Sequence, residues 1–294
     1  MITTAERARV FIQAQRLQPR LGRLVRRHPT MVSGVFLLCL MGLMAVGAPY
    51  WGTLDPLELN PIERLHAPSM LHWFGTDMLG RDLYSRTVYG SRISLFVGGC
   101  VAILSVTIGL AIGLVSGYHR HVDAIVMRVM DGLMAIPAIL LAIALIALVS
   151  ASVQNVIIAL TIPEIPRVVR VVRSVVLSLR EQTYIEASRA TGARVLRILV
   201  RHILPNTVGP LIVQGTYICA SAVILEAYLS FLGAGTPPEI ASWGNIMAEG
   251  RAYVRIAFWI VLFPGLCLAT TVLAINLIGD GLRDTLDPKL ARRL

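Results

Sequence analysis

Lysine is almost absent from this chain. One residue, Lys289, stands among 294, and a proline precedes it. A P-loop requires G-x-x-x-x-G-K-[ST], with the lysine reaching the phosphates, so that route to ATP binding is closed. Charge of either sign is also scarce: Asp, Glu, Lys and Arg make up 15% of the chain against 55% hydrophobic residues. Soluble domains carry about 25% charged residues. With a mean hydropathy of +0.70, the balance excludes an ordinary soluble domain and indicates an integral membrane protein. Neither H-E-x-x-H nor G-x-S-x-G occurs, so zinc-hydrolase and nucleophile-elbow chemistry have no support. Cysteine is limited to Cys39, Cys100, Cys219 and Cys267, each alone in an apolar run. They read as small packing residues, with no disulfide and no metal role. His119 and His121 form an H-x-H that we read as solvated loop histidines.

What is present is apolar runs separated by basic segments. The net charge of +10 would suggest nucleic acid in a soluble chain. In a membrane chain, basic residues mark the cytoplasmic flanks of spanning helices. Seven arginines, Arg7, Arg9, Arg16, Arg20, Arg23, Arg26 and Arg27, precede an uncharged run from Met31 to Tyr50. That run reaches the ~20 residues a bilayer span needs, and the leader is too long for a signal peptide. It reads as a retained first helix with its N-terminus inside. Trp51 to Arg92 is a polar outer stretch in which Thr76 or Asp77 is expected to cap a short helix. Trp73, Phe74, Tyr84 and Tyr89 suit the headgroup zone.

Ile93 to Gly117 is the expected second span, and Tyr118 to Asp131 a short loop. Gly132 to Ile162 holds 31 uncharged residues. That exceeds one span, so it is split at Ser150 to Asn155 into two helices. Pro163 and Pro166 predict a kink where Glu164, Arg167, Arg170 and Arg173 mark the cytoplasmic end. Val208 to Leu232 is the fifth span and contains Glu226, an intramembrane acid that fits hydrogen-bonded packing and a place on a solute path equally. Ser230 to Gly235 (S-F-L-G-A-G), Pro237, Pro238 and Ser242-Trp243-Gly244 predict irregular backbone at the outer face. Ile256 to Ile278 is the sixth span. With both termini inside, cytoplasmic segments hold 21 Lys and Arg and outer segments 6, which fixes the expected orientation.

The stretch from Leu179 to Asn206 is polar, basic and cytoplasmic in this topology. Helix formers run to Ala190, and Gly192 suits a left-handed helix stop. A second helix is expected over Ala193 to Ile203, closed by Pro205. The spacing of Glu186, Ala187, Gly192, Leu204 and Pro205 resembles the EAA loop of bacterial ABC-importer permeases. Ser188 replaces the second alanine of that pattern, and His202 its isoleucine. The F-G-T-D-M-L-G-R-D segment from Phe74 to Asp82, the S-F-L-G and S-W-G segments, and D-G-L-R-D from Asp280 to Asp284 resemble the C-type permease of dipeptide and oligopeptide importers.

The resemblance implies an all-α, six-span, type I importer permease fold. It divides the chain into residues 1–92 (basic N-terminus, first helix, outer loop) and a five-helix core over 93–294. It implies that Glu186, Ala187, Ser188, Gly192, Ala193, Leu204 and Pro205 couple to an ATPase. It places Glu226, Ser230, Phe231, Gly233 and Trp243 on the pathway or outer gate. The implied partners are a second permease, P-loop ATPase subunits that carry ATP and Mg, an extracytoplasmic substrate-binding protein and the lipid bilayer. The implied solute is a di- or oligopeptide, with nickel, glutathione or another small solute as the alternative. No enzyme activity, cofactor or metal is expected on this chain. A self-contained channel or carrier would predict internal symmetry and paired midplane charges, and no convincing repeat is visible. A membrane scaffold or enzyme offers no reason for the spacing from Glu186 to Pro205.

Overall fold

A computed structural model describes residues 29–286. The N-terminal arginines and the tail with Lys289, Arg292 and Arg293 lie outside the described residues. The regular structure among the described residues is helical, with one isolated bridge between Thr76 and Asp82. In chain order the helices are α1 (Pro29–Val46), α2 (Leu83–Tyr118), α3 (Arg120–Met134), α4 (Ala138–Ala147), α5 (Val153–Arg180), α6 (Thr183–Ala190), α7 (Val195–Ile198), α8 (Leu204–Phe231), α9 (Trp243–Gly250) and α10 (Trp259–Leu286). Four helical stretches, α1, α2, α10 and the run Val195–Phe231 ending in α8, are long and apolar enough to cross a membrane. Helix α5 has 28 residues, but Glu164, Arg167 and Arg170 lie within it.

The first helix lies against the last. Gly34 packs beside Ala274 and Leu277, and Gly281 beside Met31, so the chain enters the described bundle next to where it leaves. The most extensive helix–helix contact is between α2 and α5. Gly109, Gly113 and Gly117 recur every fourth residue and face Val168, Val172 and Val176 at the same spacing; a Cβ on Gly113 would sit 2.7 Å from that of Val172. Small residues at this spacing let two helix backbones approach in the membrane.

Several expectations are corrected. Asp82, not Thr76 or Asp77, caps α2: its carboxylate accepts from the Ser85 N–H at 2.8 Å. The helix therefore begins at Leu83, ahead of the uncharged run from Ile93. The stretch Tyr118 to Asp131 is mostly helix α3, not a loop. Its acids are partners for α5: Arg173 donates to Asp123 at 2.5 and 2.7 Å, and Arg170 to Asp131 at 2.6 Å. Where the third span is expected, the chain forms two helices, α3 and α4, bent by 88° at a short break. Helix α4 has 10 residues, about 15 Å of rise, half a bilayer core. The second helix of the Leu179–Asn206 unit is one α turn followed by a π segment, Leu199–Ile203. Pro205 does not close it. It sits in the first turn of α8, where a missing N–H costs nothing, and the π turn carries Leu204 N–H to the Leu199 carbonyl instead.

Candidate functional site

Two sites lie at opposite ends of the bundle. The first is the α6–α7 unit. Helix α6 stops in a Schellman arrangement: Ala193 N–H bonds Ser188 O at 3.0 Å and Gly192 N–H bonds Arg189 O at 2.9 Å. Gly192 has φ +80°, and a Cβ there would meet nothing within 4 Å. A side chain at this position would thus enter open space, and the demand for glycine is one of backbone conformation. The Ser188 hydroxyl donates to the Tyr184 carbonyl at 2.8 Å.

One face of the unit is rooted in the bundle. Ile185, Ile198, Leu199 and Ile203 join the main core beside Val172 and Val176. Arg189 lies over the Tyr118 ring, 5.1 Å from its centroid, tying the unit to the C-terminal end of α2. The other face is open. Glu186, Ala187, Arg194, Arg197 and Pro205 are exposed, while Ser188, Ala193 and Leu204 are half-buried. Leu196 is 70% exposed and Val200 53% exposed among these charges. A rigidly rooted unit with apolar side chains projecting between arginines has the form of a docking surface.

The second site, at the N-terminal end of α2, is a buried polar frame. Glu226 is 0% exposed. Its carboxylate accepts from Ser230 Oγ at 2.9 Å and Ser94 Oγ at 3.3 Å, joining α8 to α2. Ser242 caps α9 by accepting from Asn245 N–H at 3.2 Å. The Asn245 amide donates to the Pro237 and Ile240 carbonyls at 2.9 and 3.0 Å, holding the loop between α8 and α9. Trp243 is fully buried, and its indole N–H donates to the Thr87 carbonyl at 3.0 Å. Of the outer residues singled out from sequence, Glu226, Ser230 and Trp243 are therefore interior. Phe231 and Gly233 are at the surface, and Gly233 (φ +81°) ends α8 with the same motif used at Gly192.

Sequence reasoning missed the ion network beside this frame. Arg86 donates to Asp77 and to Glu249 at 2.5 Å each, and Arg81 donates to Asp77 at 2.6 Å and Glu249 at 2.5 Å. The network locks the F-G-T-D segment onto α9. Asp77 and Arg81, four residues apart, were a readable local pair; Glu249 is 163 residues from Arg86 and had no local signal. A second cluster holds His72 between two carboxylates, with Nδ1 2.9 Å from Asp82 and Nε2 2.8 Å from Glu63. Burial works against the charged ring, but the hydrogen bonds to Asp82 and Glu63 outweigh it and raise the His72 pKa. Among the described residues no group of three or more His, Cys, Asp or Glu is arranged to hold a metal ion.

The family profile described as "Binding-protein-dependent transport system inner membrane component" matches residues 105–292. A probable peptide ABC transporter permease of Sinorhizobium fredii is 53% identical over 92% of this chain and 93% of its own length. The dipeptide transport system permease of Alkalihalophilus pseudofirmus is 42% identical over 90% of this chain and 88% of its own. Among solved structures, a chain of the MetNI methionine ABC transporter in an inward-facing conformation is similar with a TM-score of 0.56. It is 23% identical and covers 68% of this chain and 96% of that one, a likeness of fold.

Proposed function

Because the chain belongs to the binding-protein-dependent transport system inner membrane component family, we propose that it imports di- or oligopeptides and is driven through the α6–α7 unit. It is a multi-pass membrane protein and a pore-forming permease subunit of an ABC importer, with the type I permease fold. ATP hydrolysis belongs to other subunits. Permeases of this family work with ATPase and substrate-binding subunits and a second permease. The relatives most similar to this chain include permeases named for peptides and dipeptides, which supports the solute assignment.

The observation that carries the coupling assignment is the rooted, one-sided exposure of α6–α7. Its buried face moves with α5 and α2, so a push on Glu186, Ala187, Ser188, Ala193 or the exposed Leu196 is delivered to the spans and not dissipated in the loop. In this reading ATP and Mg bind the partner ATPases, their closure draws the two docked loops together, and the pore turns outward. Leu204 and Pro205 pass the motion directly into α8, because the helix continues through them. At the outer end Phe231 and Gly233 form the closing surface, and Glu226, Ser230 and Trp243 are the frame that holds it. Six spans are counted by including the bent α3–α4 pair and α5, with both termini cytoplasmic. The core of the translocator is 93–294, and 1–92 supplies the basic N-terminus, first helix and outer loop.

Uptake by the complete complex in proteoliposomes tests the solute assignment. Labelled dipeptide is expected to accumulate in an ATP-dependent manner. Accumulation of nickel ion alone, or of glutathione with no competition by dipeptides, contradicts it.

A further inference from the structure

We propose that the groove between α5, α8 and α10 on the cytoplasmic half of the subunit is the wall along which solute passes, contacting peptide carboxylate and amide groups. The inference rests on the peptide reading above and adds the residues that meet the solute. Gln214, Tyr217 and Arg283 line one cavity of about 520 Å³ with Val171 of α5. Sites for small organic ligands run from about 300 to 1,000 Å³. The Tyr217 hydroxyl donates to Asp280 at 2.6 Å, bridging α8 to α10 at the cavity edge.

Two further observations decide what the groove faces. On α5, Arg167 lies four residues before Val171 and so on the same face. Its side chain is 49% exposed, roughly 21 Å along the helix from Val153. The guanidinium lies 3.3 Å from the Glu164 carboxylate on its own helix, and the exposed half of the side chain must face water or another protein surface and not lipid tails. The other side of α8 is different in kind: its groove against α2 is lined by Ile103, Val106, Leu211, Ile212 and other residues without polar side chains. Helix α8 therefore has one groove without polar side chains and one in which Gln214, Tyr217 and Arg283 stand among apolar residues.

The chemistry of the groove matches a peptide. A guanidinium pairs with a terminal carboxylate through two parallel hydrogen bonds. The Gln214 amide offers a donor and an acceptor to a peptide bond, and the Asp280 carboxylate accepts from an ammonium. A second permease facing this wall would close it into a channel.

The test uses the complete complex with its native cysteines replaced and one substitution, Gln214→Cys, in inside-out vesicles with a water-soluble thiol reagent. Labelling is expected, and dipeptide held near ten times its Kd should slow it about tenfold, since about nine-tenths of sites are then filled. An Ile103→Cys control should stay unlabelled. Arg283→Gln should raise KM about tenfold for a free-acid peptide relative to its C-terminal amide, the scale of one charge-assisted hydrogen bond. If wild-type complex imports dipeptide while the thiol at position 214 is unlabelled, the groove faces lipid and the proposal is overturned. Labelling without protection overturns the solute contact. Wild-type complex that imports no dipeptide refutes the peptide reading itself and removes the basis for this contact.

Discussion

Replacing Gly192 separates backbone strain from side-chain contact at the coupling turn. Gly192 has φ +80°, and its missing Cβ would meet nothing within 4 Å. The cost of a side chain is therefore conformational and not steric. Placing an L-residue in the left-handed region costs about 1–2 kcal/mol, most for β-branched side chains and least for Asn. Helix α6 is only 8 residues long and has little intrinsic stability with which to resist, since isolated helices that short are marginal. A loss of 1–2 kcal/mol is a factor of roughly 5–30 in the population of the correctly turned unit. The readout is ATP hydrolysed per solute imported in proteoliposomes. Gly192→Val should uncouple most, Gly192→Ala less, and Gly192→Asn should remain close to wild type. Normal coupling by Gly192→Val refutes the turn. Equal damage from Asn and Val shows that an ATPase surface occupies the open space, and the strain argument is then wrong.

Other perturbations read other parts of the structure. Gly113→Val forces a side chain to within 2.7 Å of Val172 and should cost about 1–3 kcal/mol, seen as a lower Tm in detergent; Gly99→Val, with nothing within 4 Å of its Cβ position, should not lower it. Glu249→Leu removes an acid shared by Arg81 and Arg86, leaves excess buried positive charge, and should cost about 3–5 kcal/mol; an unchanged melting temperature contradicts the network. The raised His72 pKa gives the outer segment a pH dependence of known sign. Stability from the clamp to Glu63 and Asp82 is complete below the unfolded value of about 6.5 and is lost as pH rises through the folded value. Amide exchange of residues 54–82 should accelerate with this titration beyond its intrinsic pH trend, and His72→Gln should abolish the excess.

The sequence made local conformations legible and distant partnerships illegible. Gly192 could be placed because a left-handed glycine after a helix is a local preference, and both Gly192 and Gly233 adopt it. Four of the apolar runs became helices long and apolar enough to cross a membrane, because hydrocarbon tolerates little else. Pro205 misled because proline stops a helix from within yet is welcome in a first turn, and only the π segment before it reveals which applies. Helix α3 was hidden because Asp123 and Asp131 look like solvated loop charges until Arg173 and Arg170 of α5 are brought beside them. Glu249 drew no attention because its value lies in two arginines far away in sequence. Glu226 was legible as unusual; its role as a hydrogen-bonded tie between α8 and α2 required the serines of both helices to be placed.

The central claim is that the α6–α7 unit docks the ATPase. The most direct test is co-purification from membranes of wild-type chain and Glu186→Arg, followed by an ATPase assay. Glu186 is exposed and makes no side-chain hydrogen bond among the described residues, so the reversal should leave the fold and the second permease in place. Wild-type chain is expected to bring down a second permease and a P-loop ATPase, and Glu186→Arg to keep the permease and lose the ATPase. Retention of a fully active ATPase by Glu186→Arg, or a wild-type chain that purifies folded and alone under gentle conditions, contradicts that claim.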